Sequence, residues 1–271
     1  MTACALKERP MSDQAVPILV YHHVYPEAAP ELESAVGDSA AGIIGVAEFE
    51  RHLQYLGDND MTVVSTTQIV DWLRDGAELP ERAVALHFDN GWLDTFQVVL
   101  PMLRDNGFTA TCFPITDGIE AASEGRSAAV RTLTEGVVDK PFMNWGQVQQ
   151  LCDAGWEIGA HTATHCRVAD RHEEEGDAGV VREVEVANAL FRRHLGFTPT
   201  HFAYPSGSRN DRTDEVLSAY YRSLRLWHFE WPIRWSFTRA DTPVDAIDCQ
   251  NIDLRVSFAD FQRIFTSEAS D

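Results

Sequence analysis

The chain has 271 residues, of which 42 are acidic and 22 are basic, and its formal net charge at pH 7 is -20. This acidity argues against nucleic-acid binding, which needs a basic surface. Hydrophobic residues make up 44% of the chain, enough for a sizeable core. The apolar runs are nevertheless far shorter than the roughly 18 residues of a membrane-spanning helix, so neither a nucleic-acid nor a membrane partner is expected.

The N-terminal segment and the cysteines indicate how the chain is divided into domains and in which cellular compartment it is expected. Residues 1–15 are predicted to form a loose leader and residues 16–271 a single domain. The first ten residues include Lys7, Glu8 and Arg9 and no apolar segment, which argues against a secretory signal. The five cysteines are scattered and form no Cys-x-x-Cys motif, as in proteins with reduced thiols. These features predict a cytoplasmic protein.

In chain order, apolar strands alternate with amphipathic helices. The first half predicts a strand over 16–21, a surface loop over 26–45, a helix over 46–56, a strand over 62–65, a helix capped by Thr66 or Thr67, a strand over 83–88, a helix over 96–106 and a strand over 109–115. Residues 117–140 then form a polar insertion that is predicted to be a lid or a rim.

The second half continues the same alternation. It predicts a helix over 145–154 capped by Asn144, a strand over 156–160, a helix over 173–195, a strand over 202–204, a helix over 214–221, strands over 223–227 and near Ile252, and a helix over 257–265. Alternation of this kind implies a parallel sheet with helices outside it. About seven such units in one domain favour a barrel over an open sheet.

The strand over 83–88 leads directly into Asp89, Asn90 and Gly91. Catalytic groups are common at strand ends of α/β folds, because the scaffold is rigid and the loops are exposed to water. Taken alone, Asp-Asn-Gly is an ordinary turn. The prediction of a functional site therefore depends on the residues at the ends of two later strands.

One of these later strands leads into His161 and His165, with only small Thr and Ala residues between them. Imidazole is the commonest zinc ligand, and catalytic zinc sites take three protein ligands plus water. The third ligand would be Asp89 or Asn90, and a carboxylate binds zinc better than an amide. A lone pair of histidines is more often structural, so the prediction needs the other strand ends.

The segments at these strand ends resemble, in order, the motifs of the polysaccharide deacetylase family, also called NodB homology or carbohydrate esterase family 4. Residues 87–91, His-Phe-Asp-Asn-Gly, are similar to its first motif, Thr-Phe-Asp-Asp-Gly. Residues 161–165, His-Thr-Ala-Thr-His, match its second motif, and residues 203–207, Ala-Tyr-Pro-Ser-Gly, match its third motif in the Ala-Tyr-Pro-x-Gly branch. Residues 17–24 look like the opening strand of that branch.

The resemblance implies a distorted (β/α)7 barrel and a hydrolase that removes an acetyl group from an N-acetylated sugar or related amide. It makes Asp89 the general base and makes His161, His165 and Asn90 the ligands of a divalent metal, with zinc expected. The metal would activate water at neutral pH and polarise the carbonyl group. The backbone N–H of Tyr204 would stabilise the oxyanion.

The resemblance also implies a general acid within a Leu-x-His motif. Residues 226–228 match this motif and make His228 the candidate, with His22 and His23 as alternatives at the end of the first strand. Four further residues are predicted to bind substrate, namely Trp92, Pro205, Trp227 and Trp231. Tryptophan is usually buried, so Trp227 and Trp231 could instead belong to the core.

Asn90 is the main departure from the family pattern, because the family has an aspartate ligand at this position. The change removes one negative charge from the metal site, and His87 also replaces a threonine. Four outcomes are open: weaker or altered metal binding, a ligand supplied by His87, His22 or His23, metal-free hydrolysis of a small cyclic or acylated amide, or a non-catalytic carbohydrate-binding barrel. Both motif histidines are present, so altered metal binding is the expected outcome.

Overall fold

The computed structural model describes residues 14–35, 37–228 and 236–266, and its centre is a set of parallel strands. The strands in these residues are β1 (Ala15–Val16), β2 (Ile18–Tyr21), β3 (His23–Tyr25), β4 (Ile43–Gly45), β5 (Thr62–Val63), β6 (Ala83–Asn90), β7 (Thr111–Pro114), β8 (Val130–Thr132), β9 (Gly136–Val138), β10 (Glu157–Ile158), β11 (His201–Ala203), β12 (Ser223–Arg225), β13 (Thr238–Arg239) and β14 (Gln250–Asn251).

The helices surround these strands. They are α1 (Pro30–Ser34), α2 (Val46–Asp58), α3 (Thr66–Asp75), α4 (Leu100–Asp105), α5 (Thr116–Ser123), α6 (Trp145–Asp153), α7 (Val168–Leu195), α8 (Asp211–Ser218) and α9 (Phe258–Arg263), with a π-helical segment over Thr95–Val99 and 3₁₀ turns over Gly37–Ala40 and Pro205–Gly207. No helix in the described ranges has the length and apolar character needed to cross a membrane.

Seven of the strands close into a ring, and all of their pairings are parallel. In the sheet order β10-β7-β6-β2-β14 each strand pairs with its neighbours, and β11 pairs separately with β12. Single parallel bridges join Ala160 to Phe202 and Arg225 to Ile247, which connects the β11–β12 pair to the sheet on both sides. The predicted distorted (β/α)7 barrel is therefore confirmed. The β11–β12 pair is joined to the other strands by only a single bridge on each side.

The strand β6 is buried along its whole length, as expected for a parallel strand covered on both faces. Its register against β2 pairs Tyr21 with Phe88, and its register against β7 pairs Asp89 with Phe113. Asp89 therefore lies one residue beyond the last pair with β2, at the carboxyl end of the barrel. This register determines which end of the barrel carries the candidate site.

The structure corrects two predictions made from local patterns. Residues 26–45 are not all a surface loop, because residues 40–45 are buried and β4 pairs with β3. The run Ala-Ala-Gly-Ile-Ile over residues 40–44 is apolar enough to join the core. Helix α3 is capped by Ser65, whose hydroxyl accepts from the Gln68 N–H, and not by Thr66 or Thr67. The predicted cap of α6 at Asn144 is confirmed.

Candidate active site

A cavity opens at the carboxyl ends of the barrel strands. Seven of the ten residues that the sequence assigned to the site line this cavity, namely Asp89, Asn90, Trp92, His161, His165, Tyr204 and Trp227. The two alternative acids His22 and His23 also line it. The fold thus brings together residues from strand ends that are far apart in the sequence.

The three remaining predicted residues are placed differently. Pro205 is buried in the turn and is not part of the cavity lining. His228 also lies outside the lining, where its side chain is 45% exposed and its Nε2 is 2.8 Å from Asp248 Oδ1. Trp231 lies outside the described residues. The structure therefore does not bring His228 together with Asp89.

Asp89 forms a buried ion pair with Arg225 of β12. Arg225 Nη2 donates to both carboxylate oxygens of Asp89, at 2.5 and 2.6 Å. Both side chains are at most 2% exposed. The guanidinium also lies 5.1 Å from the Phe113 ring centroid, and its Nη1 donates to the Leu226 carbonyl oxygen. A charge this far from water needs such a partner, because desolvation alone would favour the neutral acid.

The ion pair determines the protonation state of Asp89. Burial raises the pKa of this carboxyl, but Arg225, His161 and His22 lower it, and the resulting pKa is about 2. The ordinary value is 3.8, so Asp89 is ionised throughout the neutral range. Because the folded-state pKa is depressed, this ionisation stabilises the fold above the ordinary pKa and is lost as the pH falls toward 2.

His161 and His165 present the form of imidazole that binds metals. His161 Nδ1 donates to the Ala203 carbonyl oxygen at 2.8 Å, and His165 Nδ1 donates to the Arg131 carbonyl oxygen at 2.7 Å. A carbonyl partner places the hydrogen on Nδ1 and leaves Nε2 with its lone pair. Burial lowers the pKa of His165 and lowers that of His161 to about 3, so both rings are neutral at pH 7. Their ring centroids are 5.0 Å apart.

Asn90 supplies a third candidate ligand, an amide oxygen, at the same cavity. Its Oδ1 is buried and has no hydrogen-bond partner among the described residues, and its backbone is left-handed with φ of 73°. Within those residues no three His, Cys, Asp or Glu side chains form a metal-binding group by themselves. Two neutral imidazoles and one orphaned amide oxygen nevertheless fit a three-ligand zinc site in which the third ligand is weak.

The alternative ligand His87 is not placed to bind this ion. It faces the barrel interior away from the cavity, with its Nε2 3.1 Å from Thr66 Oγ1. Thr66 Oγ1 lies 2.7 Å from Thr111 Oγ1, so these residues form part of a buried polar network. His87 therefore belongs to this buried network and not to the lining of the cavity.

Of the three candidate acids, His22 is the one that faces Asp89. Its Nε2 lies 3.9 Å from Asp89 Oδ2, and burial lowers its pKa to about 4 although Asp89 raises it. Both ring nitrogens of His23 face other side chains, with Nδ1 3.0 Å from Asp94 Oδ1 and Nε2 3.4 Å from Lys140 Nζ. The structure therefore makes His22 the acid candidate nearest to the carboxylate.

The turn at residues 204–207 borders the cavity, but the amide of Tyr204 already has a partner. The Tyr204 N–H donates to the Arg225 carbonyl oxygen at 3.0 Å, and the Tyr204 hydroxyl donates to Asp214. An oxyanion role for this N–H would require that backbone hydrogen bond to break. Ser206, which has a left-handed φ of 53°, also lines the cavity.

Two tryptophans form walls of the cavity. Trp92 is 1% exposed and lies between His23, with centroids 4.9 Å apart, and Phe142, with centroids 4.4 Å apart. Trp227 is half-buried and meets the His22 ring edge-on at 6.2 Å. Trp92 is therefore a fixed wall, while Trp227 keeps some surface exposed.

The insertion over residues 117–140 supplies the rim that the sequence predicted. It contains most of α5 and the hairpin β8–β9, and residues 132–135 at the hairpin turn line the cavity. Lys140 Nζ lies 2.5 Å from Glu135 Oε1, and this ion pair holds the hairpin turn against the end of the insertion. Because the Arg131 carbonyl oxygen of β8 accepts the hydrogen bond from His165, the hairpin also supports the histidine pair.

Sequence reasoning missed Arg225 and Arg131, although one of them had a visible signal. Arg225 is a charged residue within the otherwise apolar strand pattern Leu-Arg-Leu over residues 224–226. A buried cation in a barrel strand needs an anion, and Asp89 was already the leading candidate. Arg131 contributes through its backbone carbonyl, which no side-chain pattern reveals.

Comparisons with known proteins identify the family of the chain. The sequence profile described as "Polysaccharide deacetylase" matches residues 76–222, which include all three strand-end motifs. YxkH of Bacillus subtilis (strain 168) is 23% identical over 198 residues, covering 73% of this chain and 59% of that protein. The poly-beta-1,6-N-acetyl-D-glucosamine N-deacetylase of Escherichia coli (strain K12) is 27% identical over 158 residues, covering 58% of this chain. The aligned part is 22% of the E. coli protein, so the chain spans less than two thirds of either relative.

Solved structures show the same fold. The Streptococcus pyogenes deacetylase PplD superposes with a TM-score of 0.74 at 18% identity, covering 94% of this chain and 100% of that chain. A de-N-acetylase from Aggregatibacter actinomycetemcomitans gives a TM-score of 0.76 at 20% identity, covering 93% of this chain and 100% of that chain. At these identities the likeness concerns the architecture, and it confirms a barrel of the deacetylase type.

The variant Arg225→Met tests the buried ion pair. It leaves Asp89 buried without a cation, and breaking such a pair costs roughly 3–5 kcal/mol. We expect urea unfolding at pH 7 to show a loss of that size in the free energy of unfolding. The double variant Asp89→Asn, Arg225→Met should lose less free energy of unfolding than Arg225→Met alone, because it leaves no unpaired charge. Equal losses in the single and double variants would contradict the pairing energy assigned here.

Proposed function

The chain belongs to the polysaccharide deacetylase family, and we propose that it is a hydrolase that removes an acetyl group from an N-acetylated sugar. The observation that carries the proposal is the convergence of an ionised, buried Asp89 and two neutral histidines on one cavity. A carboxylate can accept a proton from water, and the imidazoles can hold a divalent ion. The name of the E. coli relative supports a polymer of N-acetylglucosamine as the substrate class.

In the proposed mechanism Asp89 is the general base that accepts a proton from the attacking water. Arg225 keeps Asp89 ionised and fixes its orientation through the paired hydrogen bonds. His161, His165 and Asn90 are the ligands for a divalent ion, with zinc preferred by the two imidazoles. When bound, such an ion supplies Lewis-acid polarisation of the acetyl carbonyl and a lower pKa for water.

The leaving amine needs a proton, and we assign its delivery to His22. Its Nε2 lies 3.9 Å from Asp89 Oδ2, which is longer than a hydrogen bond, so the proton that Asp89 accepts from water passes to His22 once the two groups close to about 3 Å in the substrate complex. His22 is neutral before the reaction, because burial lowers its pKa to about 4. It therefore becomes an acid only after it takes up that proton.

The developing oxyanion needs a donor that the barrel does not already use. The Tyr204 amide is engaged with Arg225. We therefore place the donor in the same turn at Ser206, which lines the cavity. Trp92 and Trp227 serve as apolar walls for the sugar, as aromatic rings can pack against its C–H faces.

Acetate release from N-acetylglucosamine oligomers tests the proposed activity, with zinc or cobalt supplied. Asp89→Asn removes the base and should lower kcat/KM by roughly 10²–10⁴-fold, the range of general base catalysis. Asp105→Asn is the matched control on the exposed end of α4 and should leave the rate unchanged. Hydrolysis of a cyclic imide that persists in a chelator would instead support the metal-free amidohydrolase, and sugar binding without turnover would support a binding protein.

A comparison of His22→Gln with His228→Gln identifies the general acid. We expect the first variant to lose roughly 10²–10⁴-fold in acetate release from the amide substrate. The rate of His22→Gln should fall much less with 4-nitrophenyl acetate as substrate, because its leaving group needs no proton. His228→Gln should retain the wild-type rate, because His228 lies outside the cavity lining. The reverse pattern would restore His228 as the acid.

The variant Asn90→Asp tests the third metal ligand. It adds a carboxylate where an amide oxygen now lies, and aspartate tolerates the left-handed backbone at this position. We expect the zinc Kd, measured by competition with a chromophoric chelator, to fall roughly 10–100-fold. Asn106→Asp, on the exposed surface, controls for the added charge. An unchanged Kd would show that residue 90 does not contact the ion.

A further inference from the structure

The loop between the two histidines has a backbone that needs outside support. Thr162 and His165 both lie in the left-handed region, each with φ of 61°, and neither is a glycine. Residues with a Cβ atom rarely adopt this conformation unless the surroundings stabilise it. Because the second histidine is itself one of these residues, the loop conformation decides where its ring points.

The support comes from Glu183 of α7. Glu183 Oε2 accepts from the backbone N–H groups of Ala163 and Thr164, at 3.2 and 3.1 Å. Glu183 Oε1 accepts from the Thr164 hydroxyl at 2.9 Å and lies 3.6 Å from Arg171 Nη2. One carboxylate thus binds both backbone amides at the centre of the loop. From the other side, the Asp117 N–H donates to the Ala163 carbonyl oxygen at 3.0 Å.

The position of Glu183 on its helix is unusual for a charged residue. It lies on the buried face of α7, next to Val180, Val184 and Ala187, and its side chain is 8% exposed. It is not part of the cavity lining, so it does not reach a substrate. A buried carboxylate is costly unless hydrogen bonds compensate it, and here the compensating donors belong mainly to the histidine loop.

The geometry points to Glu183 as a positioning residue, which holds the loop at residues 162–164 so that His161 and His165 face one point. This inference rests on the proposed function, in which the two histidines bind a divalent ion. Without the carboxylate, the two loop amides lose their acceptor and the left-handed residues can relax. The separation of the imidazoles then varies, while Asp89 and Arg225 keep their positions in β6 and β12.

The test uses the full chain with three substitutions in α7. Glu183→Ala removes the acceptor, and Glu183→Gln keeps one oxygen for the two amides and guards against a failure to fold. Glu185→Ala is the matched control, exposed on the same helix. Two measurements are made: the Co²⁺ Kd with its visible absorption spectrum, and hydrogen exchange of the Ala163 and Thr164 amides without metal.

Glu183→Ala should weaken Co²⁺ binding roughly 10–100-fold, as loss of a group that orients metal ligands does, and should alter the cobalt spectrum. The two amides should exchange at least about tenfold faster, with Glu183→Gln intermediate and Glu185→Ala unchanged. Unchanged affinity and exchange in Glu183→Ala, even with a lower free energy of unfolding, would overturn the inference. If the wild-type chain binds no Co²⁺, the proposed metal site fails, and the exchange rates alone then support or overturn the role of Glu183.

Discussion

The ion pair between Asp89 and Arg225 connects two strands that are not neighbours in the barrel. Asp89 lies near the end of β6 in the continuous part of the sheet, whereas Arg225 ends β12, which a single bridge joins to the segment before β14. The Arg225 carbonyl oxygen also accepts the Tyr204 N–H, so the same residue holds the turn that borders the cavity. The ion pair therefore holds the candidate base in place and adds a side-chain contact across the barrel to the backbone bridges that close it.

The same burial leaves neighbouring groups in different charge states. His161, His165 and His22 lose their affinity for protons because no anion compensates for desolvation fully. Asp89 keeps its negative charge because Arg225 does compensate for it. The buried end of the cavity thus holds one anion among neutral imidazoles. A single counter-ion, supplied by one strand, is enough to keep this carboxylate charged while the three imidazoles beside it stay neutral.

Much of this arrangement can be predicted from local sequence, because it depends on local physics. The alternation of strands and helices, the cap at Asn144 and the convergence of Asp89 with His161 and His165 result from periodicity and from the rule that parallel strands end together. Contacts between distant residues cannot be predicted in this way. Arg225 meets Asp89 across 136 positions, and the burial of residues 40–45 depends on their pairing with β3. His228 matched a three-residue motif, but the fold places it beside Asp248, outside the cavity lining.

Adjacent residues of the hairpin β8–β9 line the cavity and orient one of its histidines. Its turn forms one wall of the cavity, while its Arg131 carbonyl fixes the ring of His165. A change in hairpin length or sequence that admits a larger sugar also moves the acceptor for that histidine. Selection for a new substrate on this scaffold therefore also moves one of the two histidines to which the proposed function assigns a divalent ion. Such a variant would need compensating changes at the histidine loop before it could become a good catalyst.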